Sequence, residues 1–255
     1  MTDIPIGSGE QKLGVGEILG DAFSIMFGNF FKVLLLSLVP MIVFIGFAAV
    51  IFIPMVLNGT EPDGALFIAA IVAIVLVFLI ATYFTSALTV RLAYDAKTGQ
   101  PLRLGSYFAS TFAVLGPLLV CTLITGIAIL IGFALFIVPG LYLMAMWVCV
   151  TPAIVLEGAG LGSISRSADL TRGYRWACVG ALLLMFLCLF GFGIAMNIIE
   201  AILTAIAGDI VAGLVSLLLN GVTVAFSGIF GALVYARLRE IKEGTSVEQL
   251  AEVFS

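Results

Sequence analysis

The sequence predicts an all-α polytopic membrane protein whose six transmembrane helices form three hairpins with short cytoplasmic interfacial helices. Three observations predict this fold class. Of the 255 residues 62% are hydrophobic and 10% charged, and the mean hydropathy of +1.27 lies far outside the range of water-soluble domains. The apolar residues fall into long runs, and a helix needs about 20 of them to cross the hydrocarbon. All 11 Lys and Arg residues lie in alternate connections, the pattern by which basic residues near span ends mark the cytoplasmic side. One membrane domain therefore accounts for residues 1–255.

Residues 1–13 are polar and lack a basic segment followed by an apolar core and a cleavage site. They read as a flexible tail kept in the mature protein, not as a signal peptide. Over 14–31 the spacing puts Ile18, Phe23, Met26, Phe27 and Phe30 toward one side, with Glu17 and Asp21 on the other. That pattern predicts a helix lying on the membrane surface. The first span covers about 32–57 and contains Pro40 and Pro54, where kinks are expected. Asn-Gly, Pro and Asp-Gly make 58–64 a turn.

The second span, about 65–90, ends in a hydroxyl-rich stretch of Thr82, Thr85, Ser86 and Thr89. Such hydroxyls usually bond their own backbone or a neighbouring helix. A polar connection and a second candidate surface helix, GSYFASTF, lead into the third span at about 113–138. Pro139-Gly140 predicts a tight reversal. The fourth span, 140–156, is short enough that a re-entrant segment is the alternative. An arginine-bearing helix precedes the fifth span at about 176–199. An acidic turn from Glu200 to Asp209 follows, then the sixth span at about 210–236. The tail 237–255 has Thr245-Ser246 before Glu248, a cap for a short amphipathic helix.

Charge settles the expected topology. Lys12 and Lys32 flank the first surface helix; Arg91, Lys97 and Arg103 lie between spans two and three; Arg166, Arg172 and Arg175 lie between four and five; Arg237, Arg239 and Lys242 follow span six. The opposite loops carry Glu61, Asp63, Glu200 and Asp209 without one base. Both termini are thus expected in the cytoplasm. The same count shows a repeat, because GEILGDAFSIMFGNFF, GSYFASTFAVLGP and GSISRSADLTRGYRW each enter a hairpin. Aligning the first with the third sets Asp21 opposite Arg166. A clasp of Glu17 or Asp21 with Arg166 or Arg172 is then expected between the first and third hairpins.

Several function classes are disfavoured. A net charge of −4 offers no clustered basic footprint for nucleic acid. Cys121, Cys149, Cys178 and Cys188 sit in apolar runs without CxxC spacing, so they read as buried hydrophobes, and no metal or other cofactor is expected. Asn197 and Asn220 are the strongly polar side chains within the spans, with no charge at mid-membrane, which counts against an ion- or proton-coupled transporter. The asparagines, and the pairs Gly191 with Gly193 and Gly228 with Gly231, are expected to serve helix packing.

The site candidates lie on the cytoplasmic side. Arg166, Asp169 and Arg172 recur at i, i+3 and i+6, a row that reads either as a salt-bridged surface or as a site for a lipid phosphate. Ser163 and Ser167 are placed to cap or pack. Glu157 ends an apolar run and needs a partner there: an arginine of the following helix, Lys32 or Arg91.

Pro139-Gly140, Trp147, Pro152 with Leu156-Glu157, then Arg166-Ser167, Leu170-Thr171-Arg172-Gly173 and Trp176 resemble the signature of the bacterial glycerophosphoryl diester phosphodiesterase membrane-domain family. The N-terminal GEILGDAFSIMFGNFF is similar to the way such chains begin. The resemblance implies a bacterial cytoplasmic (inner) membrane and a largely uncharacterised function. The phosphodiesterase chemistry of fused relatives relies on histidine and a soluble domain, and this chain has no histidine. The expectation is a non-enzymatic structural, scaffold or regulatory component, with membrane lipid and a protein partner or second copy as its contacts. A transporter or flippase-like carrier of a lipid or hydrophobic solute is the alternative. A membrane-embedded lipid enzyme resting on Glu157 and Asp169 is weaker.

Overall fold

The computed structural model describes residues 13–58 and 64–244. Among them all regular structure is helical: α1 (Val15–Gly28), α2 (Phe30–Asn58), α3 (Gly64–Lys97), α4 (Leu104–Leu135), α5 (Ile137–Trp147), α6 (Val150–Glu157), α7 (Ser163–Leu170), α8 (Arg175–Ala207) and α9 (Asp209–Glu243), with one 3₁₀ turn at Gly160–Gly162. Six segments are long and apolar enough to cross a membrane: Phe30–Pro54, Gly64–Lys97, Leu104–Leu135, Ile137–Glu157, Arg175–Ala207 and Asp209–Glu243. The all-α polytopic fold class is as expected. Of the turn expected at 58–64, Asn58 ends α2 and Gly64 opens α3; residues 59–63 and the cap at Thr245-Ser246 lie outside the described residues.

The centre of the bundle is α9, which packs against α1, α2, α3, α6, α7 and α8. Small residues let it do so. A methyl group on Gly228 would lie 2.3 Å from the Thr89 hydroxyl and 2.7 Å from the Ser86 carbonyl of α3. One on Gly221 would meet Ser37 of α2 at 3.0 Å, and Gly231 faces Val148 and Pro152 at the α5–α6 junction. Removing Cβ at these three positions brings backbones close enough for dispersion contact, which drives helix association where lipid tails leave little hydrophobic force. Gly191 and Gly193, expected to do the same, face no neighbour.

Several expected boundaries are corrected. Helix α3 continues past residue 90 to Lys97, because its first breaker is Gly99, in the left-handed region at φ 69°. GSYFASTF is no separate surface helix. It forms the opening turns of α4, unbroken as far as Leu135, so the hairpin-entry repeat fails in its middle copy. The reversal after the third span comes at Phe136, whose extended backbone separates α4 from α5. Pro139 then lies in the first turn of α5, where its missing N–H costs nothing. Gly140 serves by size, since a methyl group there would fall 2.4 Å from the Phe133 ring.

Glu200 belongs to α8 rather than to a turn, and its carboxylate accepts a hydrogen bond from Ser216 of α9. The turn itself is Gly208. The sixth helix runs beyond residue 236 to Glu243, so Arg237, Arg239 and Lys242 ride on a helix that Gly244 ends in the left-handed conformation. Helix α2 is continuous through Pro40 and Pro54.

The two remaining entry helices, α1 and α7, sit in equivalent chain positions. Asn29 closes α1 and opens α2: its amide bonds back to the Ile25 carbonyl, while its own carbonyl accepts from Lys32 and Val33. The buried face of α1 is Ile18, Leu19, Ala22 and Met26. Phe27, expected on that face, is 65% exposed.

Candidate functional site

The fourth span is broken, and the break organises the basic end of the molecule. Pro152 has no N–H to offer Val148 four residues earlier, and its ring crowds that carbonyl. The helix stops at Trp147 and restarts at Val150. Backbone groups freed inside an apolar bundle need partners, each unmet group costing about 1–3 kcal/mol. Helix α7 and its C-terminal cap supply partners to two of them, the Met146 carbonyl and the Cys149 amide. The Ser167 hydroxyl donates to the Met146 carbonyl at 2.8 Å and accepts from the Cys149 amide at 3.2 Å. The Thr171 hydroxyl lies 3.2 Å from the same carbonyl. Ser163, Ser167 and Thr171 are all fully buried, and Ser163 also donates to the Cys121 sulfur of α4 at 3.5 Å.

The flank of that face carries Arg166, which forks onto Glu157 at the end of α6. Its Nε donates to Oε2 at 3.0 Å and its Nη2 to Oε1 at 2.8 Å. Nη2 also donates to Glu243 at the end of α9. Arg239 holds Glu243 from the same helix at 2.8 Å, and the buried Tyr235 hydroxyl donates to Glu157 at 2.5 Å. One guanidinium thereby ties α7 to the ends of α6 and α9. The Glu157 carboxylate, with Glu243 behind it, holds the Arg166 pKa above the ordinary arginine value despite partial burial, so the link stays charged at any physiological pH.

Of the expected pairings, that of Glu157 with an arginine of the following helix forms. The clasp between the first and third hairpins does not. Among the described residues no ion pair joins Glu17 or Asp21 to Arg166 or Arg172; Asp21 pairs instead with Lys97 of α3 at 2.5 Å. The predicted row of Arg166, Asp169 and Arg172 also fails, because α7 ends at Leu170 and Gly173, at φ 88°, turns the chain into α8. Asp169 and Arg172 open instead into a cleft of about 530 Å³ shared with Tyr142, Gly173, Arg175 and Trp176. Glu157 and Asp169 thus belong to different places and make no carboxylate pair.

Within the spans, Asn197 is exposed and donates to the Gly193 carbonyl of its own helix at 2.7 Å, while the exposed Asn220 side chain makes no hydrogen bond among the described residues. Neither acts as interhelical glue. Thr82, Thr85 and Thr89 bond carbonyls of their own helix. A cavity of about 220 Å³ beside the break is mostly apolar, with Ser86, Thr151 and Ser227 as its hydroxyls. Among the described residues no three His, Cys, Asp or Glu side chains gather as a metal site.

Sequence reasoning missed Tyr235, Arg239, Glu243, Thr171, Tyr142 and Arg175 as site residues. A signal existed for one: Thr171 follows Ser163 and Ser167 at intervals of four, a hydroxyl stripe on one helical face. Glu243 lies 77 residues from Arg166 in a stretch read as tail, and nothing local to it marks the contact. Compared with protein-family models, curated proteins and solved structures, the chain finds no match.

Proposed function

We propose that the protein is a non-enzymatic structural or scaffold component of the bacterial cytoplasmic membrane, with both termini on the cytoplasmic side. The observation that carries this reading is the capped break in the fourth span. Membrane carriers use interrupted helices because the freed backbone groups coordinate the solute. Here the Met146 carbonyl and Cys149 amide are taken by Ser167 and Thr171, and Arg166 fastens α7 over them. The charge asymmetry between alternate connections supports the orientation. The likeness of the Pro139-to-Trp176 stretch to the phosphodiesterase membrane-domain family supports the bacterial setting and brings no activity with it.

One observation favours the carrier reading: the cavity at Ser86, Thr151 and Ser227. A lipid-scrambling assay separates the two. Vesicles containing the purified chain and a fluorescent phospholipid are expected to expose that lipid to an external quencher no faster than empty vesicles. Faster exposure, abolished when Ser227→Leu fills the cavity, establishes the carrier instead. Reporter fusions at each terminus test the orientation, and activity of a periplasm-dependent reporter at either end refutes it.

A further inference from the structure

The cleft between α5, the end of α7 and the start of α8 holds charges that the protein itself leaves unused. Among the described residues the side chains of Arg172 and Asp169 have no hydrogen-bond or ion-pair partner, whereas Glu157, Arg166 and Arg175 beside them are engaged. Arg175 is held in place, its Nη1 donating to the Tyr142 hydroxyl at 2.6 Å and its guanidinium 5.3 Å from that ring. A second contact, to the Ala168 carbonyl, lies at 3.4 Å. An arginine has five N–H donors, so Arg175 retains unused ones. Trp176, 67% exposed, stands 6.1 Å from Tyr142 at the cleft wall.

We infer that this cleft binds the headgroup of a membrane phospholipid carrying a primary ammonium, an ethanolamine phosphodiester. Arginine forks match phosphate oxygens; Arg172 supplies an unengaged fork, and Arg175, one short turn on, the N–H groups its contacts to Tyr142 and Ala168 leave over. The unpartnered Asp169 carboxylate in the same cleft opposes a purely anionic ligand and complements an ammonium group. The volume of about 530 Å³ falls within the range of small-molecule sites. A lipid is the source because Arg175-Trp176 opens a 33-residue apolar helix, and an exposed tryptophan at such a boundary sits at headgroup level. The site goes beyond a scaffold role and is independent of it.

The test is native mass spectrometry of the full chain released from nanodiscs of equal phosphatidylethanolamine, phosphatidylglycerol and phosphatidylcholine. Wild type is expected to retain phosphatidylethanolamine preferentially. Arg172→Ala should lower retention about tenfold, the loss of one charge-assisted contact, and Arg172→Lys should restore most of it. Asp169→Asn should keep phospholipid bound but erase the preference for ethanolamine over glycerol. Both positions are exposed, so unchanged melting of each variant separates lost binding from lost folding. Retention that mirrors the nanodisc composition, or that Arg172→Ala leaves intact, overturns the site. A wild-type preference for phosphatidylglycerol overturns the ammonium assignment. Quenching of Trp176 by soluble phosphoethanolamine or inorganic phosphate, as strong as by the lipid, overturns the membrane as its source.

Discussion

Helices α1 and α7 enter the first and third hairpins from equivalent chain positions, yet they dock by opposite chemistry. Helix α1 lays Ile18, Leu19, Ala22 and Met26 against the bundle, chiefly against α9. Helix α7, with Thr171 as its C-terminal cap, buries Ser163, Ser167 and Thr171 with a single large apolar residue, Leu170. The difference follows from what each covers. The α9 surface under α1 belongs to a continuous helix whose backbone is satisfied, so apolar contact suffices. Helix α7 covers the α5–α6 break, where bare backbone groups demand hydrogen bonds. Equivalent places in a repeat thus keep their position while the local backbone dictates their side chains.

Truncations can break this contrast. Leu19→Ala should cost the most, about 3 kcal/mol for a buried leucine, read from equilibrium unfolding in mixed micelles. A loss under about 1 kcal/mol would show that α1 is not held by its apolar face. Arg166→Ala leaves the partly buried Glu157 carboxylate without its base, while Glu243 keeps Arg239, and should cost about 2 kcal/mol; a double-mutant cycle with Glu243→Gln isolates the link across 77 residues. Ser167→Ala deletes a single oxygen yet should cost about 2 kcal/mol, because it strips the Cys149 amide of its partner and leaves the Met146 carbonyl only the longer contact to Thr171.

Two smaller changes sharpen the picture. Thr171→Val should cost about 1 kcal/mol, since Ser167 still serves the Met146 carbonyl, and faster hydrogen exchange at Val148 to Val150 would report the loosened break. Lys97→Ala should move the melting temperature hardly at all. Its pair with Asp21 is 42% and 44% exposed, and such surface bridges contribute about 0–1 kcal/mol. A large effect there would mean that α1 is held by charge after all, and the contrast with α7 would collapse.

Legibility in the sequence tracked the range of the interaction. Glu157 and Arg166 are nine residues apart, and a carboxylate closing an apolar run needs a nearby base, so their pairing could be anticipated. Asp21 and Arg166 look complementary in an alignment of repeats, yet Lys97 reaches Asp21 because α3 continues seven residues past its apolar stretch. That extension was hidden because polar residues after an apolar run read equally well as a loop. Helix termination is set by Gly99 and Gly244, whose left-handed conformations become visible only in the folded chain.

The sequence by itself determined the helical class, the six apolar segments and the gathering of basic residues in alternate connections. These depend on side-chain transfer energies and segment length, which are properties of a stretch taken alone. Only the tertiary structure decided that α9 runs through the centre, that α7 plugs the break made by Pro152, and that Arg166 joins α6 to α9 while Arg172 and Asp169 face an open cleft. Those outcomes depend on which backbones approach within a methyl group of one another. Glycines at 221, 228 and 231 permit that approach, but no stretch of sequence specifies it until the helices have packed.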